Sequence, residues 1–127
     1  MAGYSGTPLP RKLGIQERSR VRFVGAPDGF ARSLGVVPRV RGDADLIVAF
    51  FTSRARLTKE FGRLRAALDP AGGLWIAWPK RASGVATDLD ENVVREVGLR
   101  EQLVDDKVCA IDDVWSGLRF VVRVKDR

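Results

Sequence analysis

The chain has 127 residues, 22 Lys and Arg against 16 Asp and Glu for a formal charge of +6, 45% hydrophobic residues, one Cys and no His. A chain of this length makes one domain that buries a core without staples, a lone cysteine forms no internal disulfide, and the lack of His excludes Cys/His zinc sites, Ser-His-Asp triads and imidazole acid-base steps. No apolar run reaches the ~18 residues of a membrane span and no signal-peptide core precedes Arg11 and Lys12, so the expectation is a cytoplasmic protein without membrane contact.

Residues 1–12 read as an irregular Gly/Ser/Thr/Pro arm, and residues 13–127 as a single domain without repeats or linkers. Leu13-Gly14-Ile15 is expected to pack before the first strand, Arg20 to Gly25, where charged and apolar residues alternate up to a glycine. The turn Ala26-Pro27-Asp28-Gly29 leads to a short helix, Phe30 to Leu34, and Arg39-Val40-Arg41 to a short outer strand. Asp45 to Thr52 is a continuous apolar run, the signature of a central strand buried on both faces.

Ser53 can cap the next helix, in which Leu57, Phe61, Leu64 and Leu68 form an apolar stripe and Arg56, Lys59 and Arg63 the opposite face, before Asp69-Pro70 ends it. Gly72 to Pro79 is a third strand, with Trp75 and Ala77 on one face and Ile76 and Trp78 on the other. After a polar loop, Lys80 to Asp88, the spacing Asp88 to Glu91 resembles a capping box opening a helix with Val93, Val94 and Val97 inward, which Gly98 ends or weakens. Lys107 to Ile111 and Leu118 to Val124, joined by Asp112 to Gly117, read as a closing hairpin that adds an antiparallel edge strand. Arg119, Arg123 and Lys125 argue against easy pairing of that edge with a second copy, so the chain is expected to be a monomer or a homodimer.

Strands alternating with helices imply an α/β three-layer Rossmann-like domain with a mostly parallel sheet. Its carboxyl edge, where such sheets bind ligands, would gather Ala26 to Gly29, Thr52 and Ser53, Lys80 to Asp88 and Asp112 to Gly117.

The order of elements, with Leu-Gly-Ile before a strand ending in Gly25 and a strand pair after the last helix, resembles a truncated Rossmann-like methyltransferase. The strings Gly25 to Phe30, Trp78 to Gly84 with Thr87-Asp88-Leu89, and Lys107 to Asp112 with Trp115 to Leu118 resemble more specifically a small bacterial family of unknown function. The first resemblance implies S-adenosylmethionine as cofactor; the second implies a fold and no activity. Such enzymes use spaced glycines after the first strand and an acid after the second. Here Pro27, lacking an N–H, stands between Gly25 and Gly29, and Val40-Arg41 carries no acid.

The leading expectation is a non-catalytic module that binds a small anion or a protein partner at the carboxyl edge. Lys80 and Ser83 would contact the anion, Gly25 and Gly29 would admit close backbone approach, Trp115 would wall the site, and Asp28, Asp112 and Ser116 are further ligand-binding candidates on the same edge. Thr87 and Asp88 are read as helix caps and Cys109 as a small buried hydrophobe. One alternative is a methyltransferase-like transferase with Asp112 or Asp113 near its substrate. Another is nonspecific nucleic-acid binding through Arg56, Lys59 and Arg63, since residues 1–66 hold 13 basic and 5 acidic side chains against 9 and 11 in residues 67–127.

Overall fold

The computed structural model describes residues 6–127. Five strands form one sheet: β1 (Val21–Val24), β2 (Ala44–Phe50), β3 (Leu68–Pro79), β4 (Leu103–Ala110) and β5 (Trp115–Val122), in the order β1-β2-β3-β5-β4. The first three are parallel, β5 is antiparallel to both neighbours, and β4 therefore runs with β3. The hairpin forms as the sequence implies, but the edge strand is β4, because β5 inserts between it and β3. The edge of Leu118 to Val122 is thus not open to a second copy.

Four helices flank the sheet among the described residues: α1 (Leu9–Leu13), α2 (Phe30–Leu34), α3 (Arg54–Ala67) and α4 (Glu91–Arg100). Strand alternation sorts the core into two layers. Ile47, Ala49, Leu74, Ile76, Trp78, Leu118 and Phe120 meet Leu57, Phe61 and Leu64 of α3 and Val94 and Val97 of α4. On the other face Leu46, Val48, Phe50, Trp75 and Ala77 pack with Leu13 of α1 and Phe30 of α2. Trp75 is wholly buried and donates its indole N–H to the Leu13 carbonyl at 2.9 Å, which ties α1 to the sheet.

Three expectations need correction. Residues 9–12 of the expected arm are helical, α1 starting behind Pro8 and closing at Gly14; residues 1–5 lie outside the described residues. Arg39-Val40-Arg41 is not a strand: Pro38 donates no N–H, and the main chain of residues 36–41 bonds to β1 only through the Arg39 N–H on the Val21 carbonyl at 2.7 Å. Gly98 does not end α4, which runs on to Arg100. It lies within the helix against the Phe120 ring, where the backbone approaches the sheet too closely for a side chain.

The amino edge of the sheet is clasped by ions. Arg20 bonds Asp45 at 2.7 Å and Asp69 at 3.2 Å, joining the starts of β1, β2 and β3. The hydrogen bond from Arg20 holds the Asp45 carboxyl below its ordinary range. Because the folded value is the lower one, the contribution is complete above the unfolded carboxyl's ~3.9 and fades as the pH falls through the folded value. Stability measured at neutral and at acid pH should show it: Asp45→Asn is expected to lower stability at pH 7, with the difference from wild type smaller at a pH well below the unfolded carboxyl's ~3.9. An unchanged difference at both pH values would remove this pair as the cause.

Candidate functional site

The carboxyl ends of β1, β2 and β3 lie at one edge, as parallel pairing requires. β1 breaks at Gly25, which takes φ +66° so that the chain can turn against the end of β2; a Cβ there would stand 3.0 Å from the Phe50 carbonyl oxygen. Gly29, at φ +82°, opens α2. Between these two left-handed residues and the segment after α2 lies a groove of about 760 Å³, lined by Phe23, Pro27, Asp28, Phe30, Arg32 and Val36 among others. That is within the ~300–1,000 Å³ range of small-molecule sites.

A row of rings floors this edge. Phe23 meets Phe30 edge-on at 5.1 Å, Phe30 meets Phe50 at 5.0 Å, and Phe50 meets Trp115 at 5.0 Å. Phe30 and Phe50 are buried, and Phe23 and Trp115 half-buried. The carboxyl edge is thus apolar from β1 to β5, and Trp115, the first residue of β5, walls its far end by packing on Phe50. The aromatic pairing is the feature that sequence reasoning missed: the four rings come from three strands and a helix, and no spacing relates them.

Asp28 and Gly29 line the groove, where Asp28 is exposed, and Gly25 stands one residue before its lining at Ala26. Lys80, Ser83, Asp112, Trp115 and Ser116 cluster around the ends of β3 and β5, at the other end of the ring row. There the polar groups are committed to the backbone. The Ser83 hydroxyl donates to the Lys80 carbonyl at 2.6 Å and accepts from the Val85 N–H at 3.2 Å. Asp112 accepts from the Val114 and Trp115 N–H groups at 2.8 Å each, an Asx turn that aims Trp115. Ser116 sits in the ladder between Trp78 and Ala110. Lys80 donates its own N–H to the Val114 carbonyl at 2.7 Å, and its ammonium has no ion pair among the described residues.

No anion site forms at the helix starts. α4 is capped by Asp90, which accepts from the Val93 N–H at 2.8 Å, so Asp88 is not its cap. Asp88 instead takes the Arg54 N–H of α3 at 2.7 Å, beside Ser53, which accepts from Arg56. Both helix N-termini are therefore already met by a carboxylate, which repels an incoming anion. Thr87 does cap locally, donating to the Thr52 carbonyl at 2.6 Å and accepting from the Leu89 N–H at 3.0 Å.

Arg56 and Arg63 straddle Glu60, at 3.6 and 4.0 Å, so the α3 face that also bears Lys59 is partly neutralised. Cys109 is half-buried, and burial pushes its thiol up, against a smaller pull from Lys12. No group of three or more metal-ligating side chains occurs among the described residues, and none of their helices is long and apolar enough to cross a membrane.

No protein family matches the chain, and no curated protein does. Solved structures do. The ribosomal protein L11 methylase of Lactobacillus delbrueckii subsp. bulgaricus superposes with a TM-score of 0.58 at 14% identity, over 90% of this chain and 74% of that one. A methyltransferase from Pyrococcus furiosus gives 0.54 at 12% identity, over 80% and 74%. LepI, in complex with SAM, gives 0.56 at 10% identity, over 92% and 47%. At these identities the likeness establishes the fold: the sheet is a methyltransferase-like Rossmann sheet. The usual doubly wound order, 3-2-1-4-5-6, places further strands beyond the first. Here β1 is an outer strand, so the sheet is truncated on that side.

Proposed function

We propose that the chain is a methyltransferase-type domain that takes S-adenosylmethionine, or its demethylated product, in the groove over the Gly25–Gly29 turn. The observation that carries this reading is the pair of left-handed glycines at the carboxyl end of β1, opening a groove of the right size in a sheet of the methyltransferase type. The groove's donors and acceptors fit the ligand's parts. Phe23 and Phe30 offer ring faces and edges to an adenine, the Asp28 carboxylate accepts from ribose hydroxyls or an ammonium, and the Arg32 guanidinium pairs with a carboxylate. When bound, such a ligand supplies an electrophilic methyl group. Pro27 contributes stiffness to the turn rather than a donor, so recognition falls to side chains more than to main-chain N–H groups.

A second reading, a binding module without turnover, is favoured by the truncation of the sheet beyond β1. Thermal unfolding with either ligand tests the site: at about 100 times Kd, native-state binding adds about 2.7 kcal/mol, a midpoint rise on the order of 10 °C for a chain of this size. The rise is expected to vanish in the double variant Asp28→Asn, Arg32→Gln. Binding accompanied by slow loss of the methyl group to an added nucleophile supports the transferase; tight binding without any loss supports the module. No rise with either ligand would overturn the site itself.

A further inference from the structure

β1 is an outer strand of only four residues, and its free edge is covered by an irregular stretch, residues 35–43. Two bonds hold that stretch to β1, the Arg39 N–H on the Val21 carbonyl and the Arg22 guanidinium on the Gly42 carbonyl at 3.1 Å. Phe23 faces its N–H and C=O outward with Val21, by the two-residue alternation of a strand, and no described group on the outer side bonds them. Within this stretch stand the two most exposed large hydrophobic residues described, Val37 at 95% and Val40 at 90%. Arg39 and Arg41 stand within this stretch, Arg22 bonds it and Arg32 precedes it in α2, against Asp28 and Asp43 and with Asp45 close enough to Arg39 to feel its charge.

We propose that this rim is the docking surface for an acidic, extended segment of a partner protein, which lies along residues 36–41 and covers Val37 and Val40. Charge selects this occupant. A second copy meeting this edge about a two-fold axis would set Arg22, Arg39 and Arg41 against themselves, and a nucleic acid would neutralise the arginines but leave both valines in water. An extended acidic segment with alternating apolar side chains does both jobs: it buries the valines and answers the positive charge. Val36, Val37 and Pro38 also line the groove, so the segment would lie along its rim, and the peptide titrations are made without a groove ligand.

Fluorescence anisotropy of labelled peptides of about ten residues, roughly a long strand, tests the surface: alternating Glu-Val, Lys-Val and Glu-Ser sequences, titrated with the full chain. The Glu-Val peptide is expected to bind at least about tenfold more tightly than either of the others. The variants Val37→Ser with Val40→Ser, and Arg39→Glu with Arg41→Glu, should each lose about tenfold or more while keeping the wild-type melting midpoint, since all four side chains lie outside the core. Equal binding of all three peptides, no binding of the Glu-Val peptide, or full binding by either variant would overturn the proposal. So would a dimer in sedimentation that the valine variant dissolves, which would give the rim to a second copy, or tight binding of a single-stranded RNA that the arginine variant abolishes and the valine variant leaves intact.

Discussion

Replacing Gly98 with alanine is expected to destabilise the protein by about 2 kcal/mol, although alanine is the better helix former by about 1 kcal/mol. The residue sits inside α4, two positions before its end, and a Cβ there would overlap the Cε1, Cζ and Cδ1 atoms of Phe120. Phe120 cannot yield cheaply. It is fully buried and held edge-on by Phe61 at 5.7 Å, so the added methyl must push either the helix from the sheet or the ring into α3. Packing therefore outweighs propensity, and the sign of the change is opposite to that at an exposed helical glycine. Urea unfolding of Gly98→Ala, Phe120→Leu and the double variant checks the cause. The double variant should lose less than the sum of the singles, because the smaller side chain admits the methyl; strict additivity would place the strain elsewhere.

Gly25→Val should cost about 3 kcal/mol and abolish ligand binding in the groove at the same time. A β-branched side chain is strained at φ +66°, and its Cβ would press on the Phe50 carbonyl, displacing the ring that supports both Phe30 and Trp115. Alanine at the two turn glycines separates these effects. Gly29 has the same sign of φ but open space where a Cβ would go, so Gly29→Ala carries backbone strain of about 1 kcal/mol alone, and the extra loss in Gly25→Ala measures the contact with β2. Equal losses at the two positions, by calorimetry, would show that the approach to Phe50 carries no energy.

Local chemistry was legible where it is strictly local. The α2 limits, the Ser53 cap, the Leu57-Phe61-Leu64 part of the α3 stripe and the faces of Trp75 and Trp78 all follow from spacing and appear as read, whereas Leu68, read as the end of that stripe, already begins β3, whose span also takes in Asp69 and Pro70. What escaped depends on residues far apart. Asp88 and Asp90 are equally able to open α4, and the choice is made by the Arg54 N–H, 34 positions earlier, which claims Asp88. Gly98 reads as a helix breaker because nothing in α4 announces the ring of β5 above it. The apparent polar site of Lys80, Ser83, Asp112 and Ser116 was placed on the correct edge, but Asx and serine turns consume its acceptors, a use that composition alone does not separate from ligand binding.

The interior place of β5 also has a consequence for how the chain comes into being. As synthesis proceeds from the N-terminus, β1, β2 and β3 can pair as they emerge, but β4 leaves the ribosome with no neighbour: its one partner, β5, follows it, and only β5 joins it to β3. Until residue 122 is clear of the exit tunnel, Phe61, Val94 and Val97 lack Leu118 and Phe120 beneath them. Nascent chains arrested between β4 and β5 should therefore remain protease-sensitive and recruit chaperones, and β5 acts as the keystone that turns a collapsed chain into a folded one.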